Sequence, residues 1–280
     1  MEFNNLRISK VLRILKKWGY DEPRIHLHLM TLRLRERLFV KSYADFDFHQ
    51  IPIIINNYNR LEYPLMLIQA LERMGYSNIY IIDNKSSYPP LLEYYNHCPY
   101  KVFRLDKNVG HLALWETGIN KMFRNQWFIY TDADILPGRD CPADFVEKMY
   151  HIAQKYNALK VGFALRIDDL PDCYEHKLKV QRWERHFWER PLEPDVYDAE
   201  IDTTFALYRP NVQRRWIDRG LNVRMGGDMT AYHMPWYLDS ANLSEEERYY
   251  ISTCNPGASW VFATTPNYNS ANESHQETEI

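Results

Sequence analysis

Apolar and polar positions change rhythm near residue 50 of the 280-residue chain. Before that point Ile8, Val11, Leu12 and Leu15 recur at helical spacing, with Arg7, Lys10, Arg13 and Lys17 elsewhere on the surface. This spacing predicts an amphipathic helix with a basic face. From residue 51 short apolar runs alternate with helical patterns. "IPIIIN" predicts a buried strand, "LEYPLMLIQALERMG" a helix closing at Gly75, and "NIYIID" a second strand. A turn-rich "NKSSYPP", a short helix and a third strand in "YKVFRL" follow. "HLALWETGINKMF" reads as helix, "WFIYT" as the fourth strand, and "CPADFVEKMYHIAQKYN" as a helix with Pro142 near its start. "LKVGFALRI" and "IDTTFALYR" predict later strands, and the polar end "NYNSANESHQETEI" a mobile tail. Strands separated by helices imply parallel pairing in an α/β sheet. No internal repeat is visible.

Composition changes this picture little. Hydrophobic residues make up 45% and charged ones 25%, which is ordinary for a globular chain. Aromatic residues reach 15%, a surplus that suits a cleft for ring-shaped ligands as well as a core. No apolar run is long enough to span a bilayer, and cations interrupt the N-terminus too often for a secretory signal. Cys98, Cys141, Cys173 and Cys254 form no CxxC pair, so reduced thiols in a cytoplasmic setting are expected, without a zinc site. Charge is uneven: residues 1–41 hold ten Lys/Arg against four Asp/Glu, a balance of +6, while the whole chain is at -3. A peripheral contact of this basic arm with an anionic membrane is one expectation, and a helix packed on protein the other. No nucleic-acid partner is expected.

Candidate chemistry gathers at the strand ends. Asn56, Asn57, Asn59 and Arg60 follow the first strand; Asp83, Asn84, Lys85 and Ser86 the second; Asp106, Lys107, Asn108 and Gly110 the third; Asp132 and Asp134 the fourth. Each group alone is good turn chemistry. Four in succession converge on one rim, where open α/β sheets bind ligands. Two carboxylates at i and i+2 past a buried strand suit a hard divalent cation, which takes one or two carboxylates plus phosphate oxygens and water.

The order "INNYNR", "IIDNKSS", "DKNVGHLALWETGI", "YTDADI" resembles the nucleotide-binding half of GT-A-fold glycosyltransferases, most closely the inverting family 2. The resemblance covers about residues 50–136 well and the later half loosely. It implies a Rossmann-like mixed α/β sheet flanked by helices, with a basic helical arm at 1–45. The transferase domain would run over 46–265, divided near residue 136 into nucleotide-binding and acceptor-binding halves, and the tail over 266–280. It further implies a nucleotide-sugar donor, a UDP-sugar or alternatively a GDP-sugar, and a glycan or lipid-linked glycan acceptor. Mn²⁺ or Mg²⁺ is the implied cofactor. Asn56, Asn57, Arg60, Asp83, Asn84, Asn108, Gly110 and Asp132 would frame the nucleotide, and Asp132 and Asp134 would serve the metal.

The later half adds weaker signals. "RIDDLP" offers Asp168 and Asp169 to an acceptor, and the helix with Trp183, His186 and Trp188 mixes aromatic rings with cations. In "RMGGDMTAYHMPWY" the pair Gly226-Gly227 frees the backbone, and Asp228 follows as the catalytic aspartate follows in family 2. Glycine stands where that family carries Glu, so Asp202 in "AEIDTTFALYRP" is the second candidate base. His233 is a candidate third metal ligand, with a structural hydrogen-bonding histidine as the other reading. Transfer with retention, a sugar-phosphate nucleotidyltransferase and a non-catalytic glycan-binding protein are the competing functions. "NNYNRLEYP" lacks the glycine-rich loop that a nucleotidyltransferase needs.

Overall fold

A computed structural model describes residues 23–39, 47–201, 205–212 and 221–255. The amphipathic helix expected around residues 8–15 and the C-terminal tail lie outside these.

The chain lays down four strands in the nucleotide-side half: β1 (Ile53–Asn57), β2 (Ile79–Asp83), β3 (Lys101–Arg104) and β4 (Phe128–Asp132). Between them run α2 (Glu62–Arg73) and α3 (Pro89–His97), preceded by α1 (Pro23–Phe39). All neighbouring pairs in the order β3-β2-β1-β4 are parallel. The reason lies in β1. Ile53, Ile54 and Ile55 are each wholly buried, and successive side chains point to opposite faces. Ile53 and Ile55 enter the larger core with Leu67 and Leu71 of α2, whereas Ile54 enters the smaller core with Leu114 and Tyr130. A strand apolar on both faces needs a layer on each side, and each such side chain contributes roughly 1.5–3 kcal/mol by leaving water.

The remaining elements widen the sheet. They are β5 (Ile135–Pro137), α5 (Phe145–Tyr156), β6 (Lys160–Leu165), α6 (Lys177–Arg185), β7 (Pro191–Glu193), β8 (Val196–Asp198), β9 (Ala206–Tyr208), β10 (Asn222–His233) and α7 (Glu245–Thr253). The order continues β4-β9-β6-β10-β8-β7, with β5 paired to β10. Here the parallel expectation fails: β9, a strand read from the sequence, lies antiparallel between β4 and β6, and β5, β7 and β8 also pair antiparallel. β6 and β10 are parallel to each other, and β10 carries a bulge between Met225 and Thr230.

One predicted helix is also broken. The stretch from Gly110 forms a short helix α4 (Ala113–Glu116; the label falls between β3 and β4 in the chain) flanked by two 3₁₀ turns. Gly118 ends it at φ 76°, a left-handed backbone that glycine tolerates. Within the helix Trp115 packs edge-on to Tyr130 at 5.1 Å.

The described part of the basic arm is α1, opened by Pro23. Its Leu29 and Leu32 are buried beside Leu159, and the Arg33 Nε donates to Asn157 Oδ1 at 2.9 Å. All four cysteines are free thiols. No helix among the described residues is long and apolar enough to cross a membrane.

Candidate active site

Strand register brings the predicted polar residues to one edge. Asn57 pairs with Asp83 and Asn56 with Asp132, so β1, β2 and β4 end at the same level. Backbone bonds carry the ladder into the loops, from Asn84 N to Asn57 O at 2.9 Å and from Ala133 N to Asn56 O at 3.1 Å. The side chains then lock these loops to one another. Asn84 Nδ2 donates to Gly110 O at 2.7 Å and its Oδ1 accepts from Val109 N at 2.8 Å. Asn108 Oδ1 accepts from Gly110 N at 2.8 Å, and Asn56 Nδ2 reaches Gly110 O at 3.4 Å. Asp83 is buried, accepts from Ser86 N at 3.0 Å, and faces the half-exposed Arg104 at 3.5 Å. Asn57 Nδ2 donates to Arg60 O at 2.7 Å and to Tyr95 Oη at 3.0 Å. Burial, and then the nearby Asp83, push the Tyr95 hydroxyl well above the ordinary tyrosine range, so it stays protonated.

The Asp132-Ala133-Asp134 turn is the second layer of the site. Asp132 ends β4 and Asp134 sits in the following turn, its backbone carbonyl accepting from Met234 N at 2.9 Å. That bond ties the turn to the end of β10 and places His233 Nε2 at 3.8 Å from Asp134 Oδ1. On the other oxygen, Arg60 Nε stands 3.8 Å from Oδ2. The sequence expectations at Arg60, Asp134 and His233 thus converge in space, although they come from three different segments.

These residues suit a divalent cation. Donors bound to one octahedral ion at about 2.1 Å stand about 3.0 Å apart when adjacent and about 4.2 Å when opposite. The His233–Asp134 separation of 3.8 Å matches neither value, so the two donors share one ion after a shift of under about 1 Å. Among the described residues no group of three or more His, Cys, Asp or Glu side chains converges. Such an ion would therefore take few protein ligands and complete its shell with diphosphate and water oxygens.

Arg60 is more deeply held than its sequence position suggests. It is buried, its Nη1 donates to Glu247 Oε1, and its guanidinium lies over the Tyr250 ring at 3.8 Å and the Tyr63 ring at 4.9 Å. Burial works against the charge, yet Asp134 and then Glu247 outweigh it and hold the guanidinium above the ordinary arginine value. Glu247 and Tyr250 belong to α7, which also seats Thr253 on the first loop: Tyr58 Oη donates to Thr253 O at 2.8 Å and Asn59 Nδ2 to Thr253 Oγ1 at 2.9 Å. Glu246 accepts from Glu62 N at 3.1 Å, at the start of α2. Sequence reading missed all of α7. Its one local signal was Ser244, whose Oγ accepts from Glu247 N at 3.1 Å as a helix cap, and that signal announces a helix without saying where it docks.

Asp228 stands apart from this group. It is exposed on the β10 bulge, five positions before His233, next to Gly227 at φ 61°. A side chain at Gly226 would meet the Trp188 ring at 2.9 Å, so close approach favours glycine there, while at Gly227 the left-handed backbone does. Burial, followed by the charge of Asp228, raises the Cys141 thiol to about 12, which places Asp228 on the Cys141 side of the bulge. Asp202 lies outside the described residues. Asp169, at the end of β6, accepts from Tyr237 Oη at 2.6 Å and pairs with Arg166 at 3.3 Å, adding a polar wall beyond His233.

Carboxylates and amides gather here at the C-terminal edge of the parallel strands, where open α/β folds bind their ligands. The sequence model of glycosyl transferase family 2 matches residues 53–209, more than half of the chain. The chain belongs to that glycosyltransferase family and has its GT-A fold. No curated protein matches it by sequence. Among solved structures it is similar to S. aureus TarS 1-349, with 15% identity and a TM-score of 0.31 over 41% of this chain and 35% of that one. It is also similar to GalNAc-T7, solved with UDP, GalNAc and Mn²⁺, with 12% identity and a TM-score of 0.37 over 65% and 42%. The chain spans less than half the length of these neighbours.

Proposed function

We propose that the rim binds a UDP-sugar, or alternatively a GDP-sugar, through Mn²⁺ or Mg²⁺ held by Asp134 and His233 together with diphosphate and water oxygens, with Asp132 turned to the nucleotide. The sugar passes with inversion to a hydroxyl of a glycan or lipid-linked glycan, and the basic residues 1–41 contact an anionic membrane. The observation that carries this reading is the approach of His233 to Asp134 at 3.8 Å, set by the antiparallel pairing of β10 with β5, in which His233 faces Ile135. When bound, the ion neutralises diphosphate charge as the leaving group departs.

The chain's own residues do the rest. Asn56, Asn84, Asn108 and Gly110, already bonded to one another, with Asn57 and Asp83 fixed in the strand ladder beside them, present a pre-formed frame for the nucleoside, so little ordering is left for binding to supply. Arg60 fixes the Asp134 carboxylate and adds positive charge beside the diphosphate. Asp228 accepts the acceptor hydroxyl proton as that oxygen attacks the anomeric carbon, with Asp202 as the other base candidate. Holding donor and acceptor on one sheet edge makes the step effectively unimolecular.

A second reading, transfer with retention, is favoured by one observation: Asp228 is exposed on the bulge and outside the Asp134–His233 group. The deciding experiment is nucleoside diphosphate release over a panel of UDP- and GDP-sugars, with Mn²⁺ or Mg²⁺ and then with EDTA. The anomeric configuration of the product is read by NMR. One donor turned over with inversion, and stopped by EDTA and by Asp134→Ala, supports the proposal. Wild-type turnover in both Asp132→Ala and Asp134→Ala removes the metal assignment, and a retained configuration removes Asp228 as base.

A further inference from the structure

Helix α1 is apolar on two opposite sides. At about 100° per residue, Leu29 and Leu32 share one side, and Met30, Leu34 and Leu38 fall on nearly the opposite one. The first pair is buried against the body beside Leu159. The second set is 65%, 58% and 64% exposed. Among the described residues the other large exposed apolar side chains, Met66, Met122, Leu178, Trp183 and Leu192, are scattered over four elements and need no explanation singly. A continuous three-residue stripe along one helix does need one.

Charge decides what covers it. The helix carries Arg24, Arg33, Arg35 and Arg37 against Glu36 alone, a balance of +3. A second copy laid against this stripe would set one positively charged helix against another. Residues 1–22, with five Lys/Arg and three Asp/Glu, also carry a net positive charge. An anionic bilayer gains from every flanking cation and from each inserted apolar side chain.

We infer that the Met30–Leu34–Leu38 face of α1 lies in the interface of an anionic membrane. This rests on the proposed membrane contact of residues 1–41 and names the face that makes it. The helix docks beside Leu159, where β6 begins, whereas His233 lies past the end at which β6 finishes. The bilayer therefore meets the edge opposite the rim, and the nucleotide site stays open to solution while the protein is bound.

The test is co-sedimentation of the full chain with vesicles of equal parts phosphatidylglycerol and phosphatidylcholine, and with phosphatidylcholine alone. The variant is Met30→Gln/Leu34→Gln/Leu38→Gln, all surface positions far from the rim. Wild type should bind the anionic vesicles selectively, and the variant should lose about tenfold or more in partition coefficient. UDP affinity, read by calorimetry, should be equal in both. A variant that binds anionic vesicles like wild type overturns the assignment of the face and leaves the membrane reading standing. Wild type that ignores anionic vesicles overturns both. If wild type ignores them and is a dimer by light scattering while the variant is a monomer, a second copy covers the face instead.

Discussion

Arg224 and Arg60 are both buried, and each meets a glutamate from a helix, yet their remaining contacts differ. Arg224 Nη1 bonds Glu184 Oε2 at 2.7 Å, its Nε donates to Glu200 O at 2.6 Å, and Phe187 covers the guanidinium at 3.7 Å. Arg60 bonds Glu247, but its Nε has no hydrogen bond and faces Asp134 at 3.8 Å, beyond hydrogen-bond range. The first arrangement is closed and serves the fold. The second leaves donor capacity pointed at the rim where a diphosphate is expected, and a buried polar atom without a partner calls for such an explanation.

Three substitutions test that contrast, in falling order of effect on stability. Glu184→Gln leaves the Arg224 charge buried without its counter-ion and should cost about 3–5 kcal/mol in urea denaturation, with UDP affinity of the folded protein unchanged. A loss of UDP affinity at unchanged stability would erase the distinction between the two arginines. Glu247→Gln weakens a pair that serves both roles; about 1–3 kcal/mol of stability should go, together with a several-fold rise in donor KM. Asp134→Asn should do the reverse of Glu184→Gln. Arg60 keeps Glu247, so stability should change by about 1 kcal/mol or less, while metal-dependent transfer falls about 10²–10³-fold. Equal losses of stability and transfer would show Asp134 to be a structural partner of Arg60.

The first part of this contrast was legible along the chain, and the second was not. Ile53–Ile55 and the apolar run before Asp132 announce buried strands, and amides and carboxylates directly after them announce the rim. Those are local signals, and register then aligns them. Glu247, Tyr250 and Thr253 reach the first loop from the far end of the described chain, and nothing near them in sequence states that destination. The Gly226-Gly227 pair did mark unusual backbone. It could not show that β10 bulges between Met225 and Thr230 with Asp228 exposed on the bulge, because a register shift depends on the strands on either side. The antiparallel β9 escaped for the same reason: strand direction is set by the path of the connections as well as by the strand's own residues.

The smallest effect concerns pH. Burial raises the Glu246 carboxyl, against the pull of backbone hydrogen bonds from Glu62 and Leu61. An acid whose folded pKa is raised binds its proton more tightly in the folded state. Its contribution is therefore most favourable in acid. It declines as pH rises from the ordinary glutamate range through the raised value, and is a constant cost above it. Thermal melts across that window should show a slightly shallower decline for Glu246→Gln than for wild type, and parallel curves would remove the assignment.

The most direct test of the central claim is calorimetric titration of UDP into the protein with Mn²⁺ and then with a chelator, for wild type and Asp134→Asn. The account predicts binding by wild type that the chelator abolishes, and no metal-dependent binding by the variant. Wild-type binding that is indifferent to the chelator, or metal-dependent binding that survives in Asp134→Asn, would contradict it.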